Sequence, residues 1–142
     1  MSLVAAGTIE IPDSLGTSFD HGSFEPESRR VFIAHTARDR LEVVDADTSR
    51  HVATLEGFPE AAGVVADKGC VLVTNRGSAS LAWVDARTLD TRTVLDTGPR
   101  PNGVAFVSPM NAAVVACIGD EAHKPQLQVL GLEGKRRYIE TI

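Results

Sequence analysis

One feature limits the folds open to this chain more than any other: a segment of 18 residues recurs without a gap. Val31 to Thr48 aligns with Val71 to Thr88 at an offset of 40. Val31, Leu41, Val44, Asp45, Ala46 and Thr48 then meet Val71, Leu81, Val84, Asp85, Ala86 and Thr88, and further on Leu55 meets Leu95. A third copy starts at Gly103, 40 residues beyond Gly63, runs to Cys117, and gains three residues before Leu127 to Leu130. A unit of 40 to 46 residues cannot bury an apolar face alone, so such units stack on one another.

The local signals within each copy are those of short strands. Val31 to Ile33 and Val71 to Thr74 are β-branched or aromatic runs of strand length, and no segment sustains apolar residues at helical spacing. Helix content is therefore expected to be close to nil. Asp45 and Asp85 each open a four-residue turn, where the carboxylate accepts backbone N–H groups two or three residues on; Gly131 to Gly134 takes that place in the third copy. Ser78 and Ser80 fall in an apparent hairpin loop. Three units of this length match the period of one β-propeller blade, about 40–50 residues.

Particular residues also carry a family resemblance. Val71 to Asn75, followed by Gly77 to Asp85 and a Thr93-Val94-Leu95 tail, is similar to the YVTN repeat of bacterial, YncE-like β-propellers. Phe19-Asp20-His21 and the run from Pro26 to His35 resemble the opening blade of that family, with His35 and Ile118 standing where Asn75 does. The resemblance implies an all-β chain of about three four-stranded antiparallel blades. Gly22, Gly63 and Gly103 would precede the innermost strands, and Val31, Val71 and Val114 would open the second. Leu41, Leu81 and Leu127 would open the third, with outer strands near Val52 to Leu55, Thr93 to Leu95 and Tyr138 to Ile142. Leu3 to Ile11 matches a further outer strand without a blade of its own. The chain then divides into that strand (1–15) and three blades (16–57, 58–98 and 99–142).

Three blades do not close a ring, since propellers have about four to eight. A half-propeller leaves a blade face open at each end, and such faces find a partner. One expectation is a homodimer of two-fold symmetry enclosing a six-bladed ring and a central ligand channel. The other is a fragment of a longer propeller. The first makes the protein a non-catalytic binding or scaffold module.

The loops leading to the innermost strands are where propellers gather small-molecule ligands. Here they carry Asp20-His21, Ala61-Ala62 and Arg100-Pro101-Asn102. Pro101 to Phe106 resembles a segment of gluconolactonase and regucalcin propellers, in which the Asn before Gly binds a divalent metal. That resemblance implies a cation such as calcium on Asn102 with Asp20 as companion, and His21 as a base near neutral pH, the set of a metal-dependent lactonase-like hydrolase. Against it, Ala62 supplies no ligand, and Asn102-Gly103 also suits a simple turn. No nucleophile elbow, phosphate loop or zinc-spaced His pair occurs.

Composition removes other classes. The formal net charge is −5 and the pI near 5.3, with one tight basic run at Lys135, Arg136 and Arg137, so nucleic acid is not expected as a partner. No apolar stretch reaches the length of a membrane span and none reads as a signal peptide, so no membrane partner is expected. The family resemblance nonetheless implies a periplasmic or extracellular location. Cys70 and Cys117 are 47 residues apart and read as small core residues.

Overall fold

A computed structural model describes residues 1–132 and 138–141. The chain is all-β, with three four-stranded antiparallel sheets in sequence order. The first contains β1 (Gly22–Glu25), β2 (Arg30–His35), β3 (Arg40–Asp45) and β4 (Arg50–Glu56). The second contains β5 (Ala61–Asp67), β6 (Cys70–Asn75), β7 (Ser80–Asp85) and β8 (Thr91–Asp96). The third contains β9 (Pro101–Val107), β10 (Ala112–Cys117), β11 (Gln126–Gly131) and β12 (Tyr138–Thr141). Each is a plain meander, the topology that successive tight turns produce. The architecture is β-propeller-like.

The turn chemistry works as its residue types dictate. Asp45 accepts the Thr48 N–H at 2.8 Å, and Asp85 accepts those of Arg87 and Thr88 at 2.9 Å. The Thr88 and Arg87 N–H groups, with Arg92, hold the Asp85 carboxyl down at about 2. Among the described residues helix is confined to three-residue 3-10 turns, Thr36–Arg38 and Arg76–Ser78 between the second and third strands of their sheets and Ser108–Met110 between the first and second strands of the third. Each ends on a left-handed residue: Asp39, Ala79 or Asn111. Ser78 lies in the second of these turns, while Ser80 already opens β7.

Period-two alternation gives every sheet two faces, and two apolar cores separate the three sheets. Phe32, Ala34, Leu41 and Val43 of the first sheet pack against Val71, Val73, Ala82 and Val84 of the second. Leu72 and Leu81, on the second sheet's other face, pack against Ala113, Val115, Cys117 and Leu130 of the third. The sheets meet along β1, β5 and β9, which lie side by side. Polar groups tie the same junctions. Arg30 donates to the carbonyls of Ala86 and Arg87 at 2.8 and 3.0 Å, and buried Glu25 accepts the Gly69 N–H at 2.9 Å.

Three expectations need correction. Leu3 to Ile11 forms no strand, and all of it but Ile11 is exposed. A strand exists only through the ladder it pairs with, and none of the three sheets pairs with this segment. Gly22 is not the counterpart of Gly63 and Gly103. Gly22 pairs with Ile33, where Val64 pairs with Val73 and Val104 with Val115, so the counterpart is His21. The turn after β1 has four residues where that after β5 has two, which shifts the register by two. Likewise Cys117, not Ile118, stands where His35 and Asn75 do, since the three pair with Gln126, Arg40 and Ser80. Gly134, the run Lys135 to Arg137 and Ile142 lie outside the described residues. No helix among the described residues is long and apolar enough to cross a membrane.

Candidate functional site

The corrected register brings the sequence-selected residues into one structural set. Counting back from Gly22, Val64 and Val104, the same lead-in position holds Asp20, Ala62 and Asn102, and the next holds His21, Gly63 and Gly103. Asp20 and His21 are fastened by the backbone: Asp20 N–H donates to Ala34 O at 3.0 Å, and Ala34 N–H to His21 O at 2.9 Å. Their side chains form an ion-pair contact at 2.7 Å between His21 Nδ1 and Asp20 Oδ1. The second carboxylate oxygen lies 3.7 Å from Arg76 Nη2, brought from the neighbouring sheet by the 3-10 turn.

An imidazole oriented by a carboxylate is the arrangement of a general base. His21 is suitably open, its side chain 57% exposed. No Ser, Thr or Cys hydroxyl or thiol is hydrogen-bonded to it among the described residues. Asn102 is in different surroundings. It lies within β9, its carbonyl accepts the Thr74 hydroxyl at 2.6 Å, and its side-chain oxygen is buried without a hydrogen-bond partner. A cation on Asn102 and Asp20 would have to draw Asp20 from both His21 and Arg76. No group of three His, Cys, Asp or Glu side chains suited to a metal exists among the described residues. The donor set does not fit calcium, which takes about six to eight oxygens.

Sequence reasoning missed a second polar cluster. His35 and Glu42 are both 0% exposed, and His35 Nδ1 lies 2.8 Å from Glu42 Oε1. The other carboxylate oxygen is 2.8 Å from His51 Nε2 and accepts the Thr54 hydroxyl at 2.6 Å. On its far side, His35 Nε2 meets the Thr17 hydroxyl at 2.8 Å. The Thr17 hydroxyl itself donates to Ser14 O at 2.7 Å. Burial pushes the Glu42 carboxyl up, but bonds from His35, Thr54 and His51 outweigh that and hold it below its ordinary 4.5. Glu42 is thus a buried carboxylate bonded to both histidines and to Thr54. The available signal was Glu42 itself, a charge between Leu41 and Val43 where the second copy has Ala82.

The third sheet repeats the theme without charge. Gln128 occupies the Glu42 position, and its side-chain oxygen accepts the Gly98 N–H at 2.8 Å. In each case strand residues anchor the segment that leads into their sheet's first strand, at Thr17 through His35 and at Gly98 through Gln128. Burial pushes the Cys70 thiol up to about 12 and also raises Cys117, which disfavours the thiolate at both.

Solved structures share this architecture. Hydrazine synthase from Kuenenia stuttgartiensis superposes with a TM-score of 0.75 at 17% identity, over 91% of this chain and 38% of that one. A functionally unknown protein from Desulfotomaculum acetoxidans gives 0.71 at 13%, over 88% and 42%. U3-55K gives 0.66 at 12%, over 82% and 35%. At such identities the likeness shows the fold alone. This chain spans roughly two fifths of the length of the structures it matches. No family model and no curated protein matches it.

Proposed function

We propose that the chain is a non-catalytic β-propeller binding module that pairs with a second copy of itself, giving six sheets around a shared ligand channel. The observation that carries this reading is the pair of outward faces at the two ends of the row. On the first sheet, Phe24, Val31 and Ile33 lie opposite the face packed on the second, and Phe24 is 44% exposed. On the third, Val114, Ala116, Leu127 and Val129 lie opposite the packed face, and Leu127 is 46% exposed. The first sheet's outward face also carries His35 and Glu42, both buried, with Thr17 and Phe19 against His35; the exposed apolar residues beside them mark an interaction site. Asp20, His21 and Asn102 would then each appear twice around the axis, supplying polar groups to a small-molecule ligand.

A second reading, a section of a longer propeller, is favoured by the share of each solved structure that the chain covers. The hydrolase alternative gains no comparable support, because Asp20 is already engaged by Arg76. Light scattering coupled to size exclusion tests the proposal: a particle of about twice the 15.1 kDa chain mass is expected. A stable monomer refutes self-association.

A further inference from the structure

We infer that Gly103 and Ala116 form a seat for the Phe19-Asp20-His21 segment of a second copy, so that the two chains join third sheet to first sheet. This inference rests on the self-association reading and specifies its contact. It follows from a rule that both junctions inside the chain obey. At the first, His21 N–H donates to Ala62 O at 3.2 Å. At the second, Gly63 lies so close to Asn102 O that any β-carbon on it would overlap that carbonyl. In both, the residue at the His21 position meets the carbonyl of the residue at the Asp20 position in the next sheet.

Gly103 is the third member of the set, and a β-carbon there would meet only Ala116 Cβ, at 3.8 Å. A cavity of about 440 Å³ opens beside it, lined in part by Asn102, Ala116, Ile118 and Leu127. The rule assigns that space to the carbonyl of Asp20 from another copy. Side-chain size agrees. At the first junction, large Phe32 and Leu41 face smaller Val71, Val73 and Ala82. At the open ends the order is reversed: Ala105, Ala116 and Val114 on the third sheet would face Phe24 and Ile33 on the first, with Phe19 just ahead of it. That face of the first sheet also holds Glu42 and His35, whose polar atoms are already bonded to one another and to Thr17, His51 and Thr54, so the contact adds no unpaired polar group. Joining third sheet to first at both ends closes the ring by a two-fold rotation about the channel axis, and leaves no open face.

Gly103→Leu tests the seat. Gly103 does not have a left-handed φ and its β-carbon site is open, so the variant is expected to fold, with the far-ultraviolet circular dichroism and thermal midpoint of the unassociated chain. It should lose the species of twice 15.1 kDa at concentrations where wild type holds it. Phe24→Asp, on the opposite end, should do the same. A wild-type chain that is itself monomeric overturns self-association and the seat together. A dimeric wild type whose dimer survives Gly103→Leu overturns the seat alone and leaves self-association standing.

Discussion

Replacing Glu42 separates a buried, hydrogen-bonded carboxylate from ordinary core packing. Glu42→Ala removes the shared partner of His35, His51 and Thr54 and leaves their buried polar atoms without it. Each buried polar group left unsatisfied costs about 1–3 kcal/mol, so a loss of about 3–5 kcal/mol is expected. Glu42→Gln keeps the shape: its carbonyl accepts from His51 and Thr54, and its amide lies against His35 Nδ1. Neutral bonds then replace charge-assisted ones, a loss of about 1–3 kcal/mol. For 142 residues the unfolding entropy is about 0.3 kcal/mol per degree, so the thermal midpoint should fall by about 13 °C for Ala and about 7 °C for Gln. Both are read by urea titration and thermal melts at one fixed protein concentration. The sign with pH is also set. Because the folded carboxyl titrates below 4.5, its contribution is complete above that value and is lost as pH falls through the lowered one. Wild type should therefore lose stability below pH 4.5 more steeply than Glu42→Gln. An Ala variant within about 1 kcal/mol of wild type, or a Gln variant as damaged as Ala, would refute this role for the buried carboxylate.

Gly63→Ala should destabilise the chain by about 3 kcal/mol in urea titration, because the added methyl overlaps the Asn102 backbone rather than a movable side chain. A cost under about 0.5 kcal/mol would show that the second and third sheets are not so close. Ala79 has φ +46°, where the first copy places Asp39, so Ala79→Gly should stabilise the chain by about 0.5–1 kcal/mol. A loss of stability in the same titration contradicts that turn geometry. Millimolar calcium should leave the thermal midpoint unchanged; a rise that disappears in Asn102→Ala would restore the metal reading.

Much of the architecture is legible in the sequence because its causes are local. Alternating β-branched runs at Val31 and Val71 specify strands, and Asp45 and Asp85 specify turns, each through contacts a few residues long. Repeating those signals at an offset of 40 dictates three similar sheets that must stack. Asp20 and Asn102 could be selected as equivalents for the same reason, since each stands two residues before Gly22 or Val104, which pair alike with the second strand. Tertiary structure alone decided the rest. A turn two residues longer after β1 put His21, rather than Gly22, in register with Gly63. The pairing of His35 with Glu42, of His35 with Thr17 and of Glu42 with His51 joins four segments of the first repeat unit, and no spacing rule announces it. The fate of Leu3 to Ile11 was likewise a tertiary matter, because a strand needs a free ladder edge and its own residues cannot supply one. Local propensity travels with the sequence, whereas register, burial and the sharing of protons depend on which chain segments arrive beside one another.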